Sequence, residues 1–345
     1  MATSRSATPR AVVTVAFRQP RRFVSSAGAL LLAIVAASCG AAPAATGGGC
    51  ESSLLMLTLG SRMQVREVSR GTETDVGPPL ETDGLQLFRL SSADGVVLVA
   101  LASPGARQTR IAKLSVSGGG WEVLAEGPRD PGGPSEALLA GDRVVARSDD
   151  GLLWSPLTSW QPHPYAALSG QTLIPIASGG SAVLLLRPTI QRFELLLLDA
   201  PSGATRSIAG VADRPGELAV LDEPGTSAAF ARPSSANWVS EIVIWRQDQL
   251  SVIRVDGNVR GLDLSDDGPS YVVDRAGALE LVTPVHKLSL GPSGTVYRAT
   301  ILRDRATGRV ALGFFDVPEG RGIVVSPAGD IAKVVGIPVA WRPRC

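Results

Sequence analysis

One short phrase recurs along this chain: an apolar residue, three or four small or polar residues, a glycine, then a β-prone run. The clearest copies are Leu90-Ser-Ser-Ala-Asp-Gly95 before VVLVAL, Leu221-Asp-Glu-Pro-Gly225 before TSAAFA, Leu264-Ser-Asp-Asp-Gly268 before PSYVVD and Val325-Ser-Pro-Ala-Gly329 before DIAKVV. Leu290-Gly-Pro-Ser-Gly294 before TVYRAT also fits, and Leu139-Ala-Gly141 and Ile176-Ala-Ser-Gly179 are looser copies. A strand running into a tight turn, a glycine in a backbone region that side chains resist, and a new strand leaving produce this pattern. The chain is therefore built from many short antiparallel strands.

The copies recur roughly every 40 residues over the first four intervals, a period typical of repeat architectures. From Gly268 onward the gaps shorten, which leaves the repeat count open. Each unit holds several strands of about five residues, which suits a four-stranded blade. The expected fold is an all-β β-propeller of six or seven four-stranded blades, closed by strands from both termini; a sandwich or another all-β array is the alternative. The segments LSDDGPSYVVD and VSPAGDIAKVV resemble the degenerate repeats of TolB-like and WD40-like propellers. That resemblance implies a fold and not a function.

Strands fill the body of the chain. Leu85–Leu90, Val96–Leu101, Arg110–Val116 and Trp121–Leu124 read as a first full blade. Leu195-Leu-Leu-Leu198 is apolar on both faces, as a strand between neighbouring blades would be. At the ends, Ser53–Leu59 and Met63–Val68 are expected to pair beside Ile331–Val335 and Ile337–Trp341, closing the ring.

Residues 1–38 read as an export signal. Five arginines (Arg5, Arg10, Arg18, Arg21 and Arg22) precede the apolar run Ala27–Val35, which is shorter than the roughly 20 residues that span a bilayer. Ala36-Ala-Ser-Cys39 resembles the lipobox of bacterial lipoproteins, with Ala36 where leucine is usual. The resemblance implies lipidation at Cys39 and attachment to the membrane through that lipid. Residues 39–49 then form a flexible tether to a domain at 50–345. Cleavage within Ala41–Ala45, releasing a soluble protein, is the rival reading, and on either one the body leaves the cytoplasm. If Cys39 takes lipid, Cys50 and Cys345 remain as an even pair at the two ends of the domain. In an oxidising envelope compartment they are expected to form a disulfide; two free thiols are the alternative.

The formal net charge is +1 and no basic block occurs in the body of the chain, so nucleic-acid binding is not indicated. No Gly-x-Ser-x-Gly elbow, HExxH, phosphate loop or dinucleotide fingerprint is present. There are two histidines, His163 and His286, too few for a multi-histidine metal site. Asp256-Gly-Asn258 faintly resembles a calcium loop, but Arg260 stands at a ligand position, and Asp-Gly turns explain it better. No cofactor and no metal are expected. The aromatic stretch Trp154, Trp160, His163 and Tyr165 lies among prolines and is the leading candidate for a contact surface. The alternative is packing between blades, as expected for Trp121, Trp245 and Trp341. The loop 232–238 ending at Trp238 is a second candidate.

These readings converge on a non-catalytic cell-envelope lipoprotein that binds or scaffolds a protein partner. The alternative is an envelope carbohydrate-binding protein or hydrolase with its site at the channel mouth, where any paired carboxylates would have to meet.

Overall fold

A computed structural model describes residues 51–104, 108–128, 136–148, 150–190, 192–211, 218–233, 238–294, 296, 298–315 and 320–344. Its strands form seven four-stranded antiparallel sheets, with one short 3-10 turn at Ala166–Leu168. The inner strands of blades one to six are Gln86–Ala93, Glu136–Ala140, Ile174–Gly179, Ala219–Leu221, Asn258–Ser265 and Ala299–Arg303. Each inner strand touches the next, and Ile337–Arg344 in blade seven touches both Ala299–Arg303 and Gln86–Ala93, so the ring closes. The fold is a seven-bladed β-propeller.

The uneven spacing of the repeated phrase has a structural origin. Five copies, from Gly95 to Gly268, sit at the turn from the first to the second strand of blades one to five. The copy at Leu290–Gly294 instead ends the outer strand of blade five. The copy at Val325–Gly329 turns from the third to the outer strand of blade six. Blade six makes its first hairpin at Thr307-Gly308, 40 residues after Gly268, and the period is restored.

Blade seven joins the two ends of the domain. Its inner strand is Ile337–Arg344, and its other three are Glu51–Thr58, Arg62–Ser69 and Thr72–Glu81. The register of the joining pair runs from Glu51↔Arg344 to Leu57↔Ile337. Ile331–Val335 does not take part, contrary to the sequence expectation. It is the outer strand of blade six, paired with Arg321–Val325, and Ile331 and Val335 face outward at the perimeter. All three cysteines, the export segment and the tether lie outside the described residues.

Seven apolar clusters match the seven blade interfaces. On the second strand of blade one, Val97, Val99 and Leu101 pack with Leu55, Met63 and Val65 of blade seven. The alternate residues Leu98 and Ala100 pack with Leu139 and Val144 of blade two. Likewise Leu196 and Leu198 face blade two, and Leu195 faces blade four. This explains strands that are apolar on both sides. Trp245 is buried between blades three and four, and Trp121 and Trp341 pack against the clusters flanking blade seven.

The interface between blades six and seven is different. Among the described residues its buried apolar cluster is small, Leu54, Met56 and Ala311. Polar contacts add to it. The Ser52 hydroxyl donates to Asp304 at 3.2 Å, Arg309 donates to the Ser52 carbonyl at 2.5 Å, and the Trp341 indole donates to the Leu302 carbonyl at 3.2 Å. The Arg309 guanidinium also lies 4.6 Å from the centre of the Trp341 ring. Burial, the largest single influence on Asp304, pushes its carboxyl up. Hydrogen bonds from Thr307, Arg309, Ser52 and the Ala306 N–H outweigh burial and hold it below the usual carboxylate range.

Candidate binding face and central channel

The antiparallel blades sort their loops. Turns from second to third strands, and crossings to the next blade, open on one face, the crossing face. First-to-second and third-to-outer hairpins open on the other. Large apolar side chains stand out on the crossing face. Ile190, between the second and third strands of blade three, is fully exposed at 103%, and Trp238, at the same place in blade four, is 71% exposed. These two blades are neighbours. Phe88 enters the inner strand of blade one from this face and is 39% exposed; Phe315 leaves the second strand of blade six toward it.

The inner strands enclose a channel with a cavity of about 480 Å³. Register shifts fall at Phe88, Ile176, Arg260 and Val339, in the inner strands of blades one, three, five and seven. A bulge adds an unpaired residue and redirects it; Phe88, Ile176 and Val339 line the channel. At the crossing-face mouth, Arg89 lies 5.9 Å from the Phe88 ring centre and Arg298 lies 6.0 Å from that of Phe315. Further in, Ser91 and Ser178 approach to 3.5 Å between their hydroxyl oxygens. Ser91 also accepts the Leu139 N–H at 3.2 Å, and Ser92 donates to the Val339 carbonyl at 2.6 Å, tying adjacent inner strands together.

Asp263, near the hairpin end of the blade-five inner strand, is the one carboxylate among the described residues lining this cavity. Burial pushes its carboxyl up to about 6, against the Leu264 N–H and the guanidiniums of Arg303 and Arg305, which pull it down. No cation lies within ion-pair distance of it among the described residues.

The aromatic stretch singled out in the sequence divides. Trp154, on the third strand of blade two, pairs with His163 on a two-residue outer strand, His163–Pro164. Their rings lie 4.7 Å apart, tilted 32° to one another, and Arg143 covers the indole at 4.1 Å. Trp160 packs against the cluster between blades one and two. Tyr165 is buried and donates to the Ala200 carbonyl of blade three at 2.9 Å, which Arg143 also meets at 3.0 Å. Burial pushes the Tyr165 phenol up to about 12. Trp154 and His163 thus form an outer edge, whereas Trp160 and Tyr165 anchor blade two to its neighbours.

Of the second candidate loop, Trp238 is exposed, with residues 234–237 outside the described set. The Asp256-Gly257 turn links blade four to blade five, and no group of three potential metal ligands occurs among the described residues. Ile190 was legible as a lone isoleucine in a polar turn between two apolar strands. Arg89, Asp263 and Arg298 had no local signal, because only the ring brings them together.

No family model matches the sequence, and no curated protein does. Solved structures match it in fold at low identity. A protein from Lactobacillus plantarum has a TM-score of 0.55 at 11% identity, covering 84% of this chain and 99% of that one. An oligogalacturonate lyase in complex with manganese has a TM-score of 0.52 at 11% identity, covering 83% and 86%. A complex of KlAtg21 with the coiled coil of AgAtg16 has a TM-score of 0.50 at 11% identity, covering 85% and 100%. At these identities the likeness speaks to the fold alone.

Proposed function

We propose that this protein is a non-catalytic propeller of the bacterial cell envelope, lipid-anchored through Cys39, that binds a protein partner on its crossing face. The observation that carries the reading is the exposure of Ile190 and Trp238 on one face of adjacent blades. Solvated isoleucine and tryptophan gain most when covered, and tryptophan is enriched among the residues that dominate binding energy. The KlAtg21 complex with a coiled coil illustrates a related fold engaging a protein. The alternative is an envelope carbohydrate-binding protein or hydrolase with its site at the channel mouth, in line with the lyase neighbour. Among the described residues Asp263 is the one carboxylate that lines the cavity, and hydrolysis by a carboxylate pair would need a second.

Crosslinking in native membranes tests the proposal. Wild type is compared with the double variant Ile190→Ser/Trp238→Ser and with Cys39→Ser. The double variant is expected to lose a specific crosslinked protein while keeping its Tm, and Cys39→Ser to leave the membrane fraction. A crosslinking pattern unchanged in the double variant, together with a sugar that raises the Tm, refutes the partner reading.

A further inference from the structure

Charges of opposite sign line the channel, and Arg89 and Asp263 among them do not pair with one another. Arg89 lines it near the crossing-face mouth and Asp263 lines it toward the hairpin end. Neither makes an ion pair with any described residue. Partly buried charges with no direct partner are costly, and a ligand that supplies an opposite charge to each recovers part of that cost. The rest of the lining is mainly apolar: Leu87, Phe88, Ile176, Leu262 and Val339 among others. The cavity, about 480 Å³, is in the range of small-molecule sites.

The strand geometry gives the depth of Asp263 below the mouth. A side chain at Gly261 would meet the Ala299 carbonyl at 2.8 Å, so these two residues are level on adjacent inner strands. Asp263 is then level with Ile301, three positions deeper than the mouth residue Arg298. At about 3.3 Å per residue this is on the order of 10 Å. An extended peptide of about three residues spans the same length between its termini.

We infer that the channel binds a short zwitterionic peptide, its carboxylate at Arg89 near the mouth, its ammonium at Asp263, and its apolar side chains against the lining. This small-ligand site goes beyond the partner-binding reading and does not depend on Ile190 or Trp238.

Calorimetric titration of the purified protein with trialanine, its N-acetyl form and its C-terminal amide tests this. Trialanine is expected to bind, with each capped form weaker by about tenfold or more, equivalent to about 1.4 kcal/mol. Asp263→Asn is expected to abolish discrimination against the acetylated peptide only, and Arg89→Ala that against the amide only. Ile190→Ser/Trp238→Ser is expected to bind trialanine as wild type does, which separates this site from the partner face. No trialanine binding at millimolar concentration, or capped forms that bind wild type equally well, overturns the inference without any variant. Discrimination that persists in folded Asp263→Asn and Arg89→Ala overturns the assignment of the two ends.

Discussion

Asp263 makes the folded protein pay for ionisation. In the unfolded chain its carboxyl titrates near the ordinary 3.8, and in the channel near 6. Below both values it is protonated in either state and contributes nothing. As pH rises from about 4 to about 6, the unfolded chain ionises first and stability falls; above 6 the penalty is constant. The difference amounts to at most about 3 kcal/mol, less where channel water reaches the carboxylate. Asp263→Asn is therefore expected to raise the Tm at pH 7 and leave it nearly unchanged at pH 3.5, measured by calorimetry. Equal shifts at both pH values refute this. One aspartate among many carries no mark of this role in the sequence. Its environment is assembled from strands distant along the chain. The aromatic stretch shows the converse: Trp154 and His163 were legible as a cluster, but the sequence did not reveal that Tyr165 reaches across to Ala200.

At the scale of elements, the strand at Ile337–Arg344 depends on what lies beside it. A side chain at Gly313 would lie 2.2 Å from an Ile337 side-chain carbon, and one at Gly336 would lie 2.7 Å from the Leu57 carbonyl at a φ of +97°. Neither has room for a methyl group, and Gly336 adds a backbone conformation that side chains resist. Gly313→Ala is expected to lower stability by about 1–3 kcal/mol in denaturant unfolding, the usual cost of overpacking. Beside it, Arg309 joins Asp304, the Ser52 carbonyl and the Trp341 ring. Arg309→Ala is expected to destabilise by about 1–3 kcal/mol and to speed amide exchange selectively in residues 51–58 and 337–344. Uniform acceleration around the ring would contradict this. The depressed Asp304 carboxyl stabilises the fold above its ordinary titration range, and that contribution is lost as pH falls through its lower folded value. Strands apolar on both faces were legible because two neighbours bury them. Thr72–Glu81, polar and interrupted by Gly77-Pro78-Pro79, was not, because an outer strand has one neighbour and mostly faces water. Ile331–Val335 was misplaced because a β-prone run after a glycine reads alike at the inner and outer edges of a blade.

At the scale of the whole molecule, six blades are each one continuous stretch and the seventh is shared between the ends. The propeller class and the meeting of the two ends were legible from the repeated phrase and the terminal strands. The blade number was not, because two copies of the phrase mark other turns. In blades one to six a hairpin joins the inner strand to the second; in blade seven the last register pair, Glu51↔Arg344, stands where that hairpin would be. Cys50 and Cys345 follow directly in sequence, so we propose that a disulfide replaces the missing turn. In the chain-entropy model so long a loop is worth at most about 5–6 kcal/mol. The expected outcome is a Cys50–Cys345 peptide in the non-reducing digest and a lower Tm on reduction or in Cys50→Ser/Cys345→Ser. Two alkylatable thiols in the native protein and an unchanged Tm would refute it.

The order of synthesis gives this shared blade a further meaning. Residues 51–81 are translated well before residues 337–344 and present a strand edge whose partner is that later segment. Until residues 337–344 are available, the sheet at the amino end is incomplete and the circle stands open. Closure of the ring is thus deferred until residues 337–344 have been made, however early the strands they join appear.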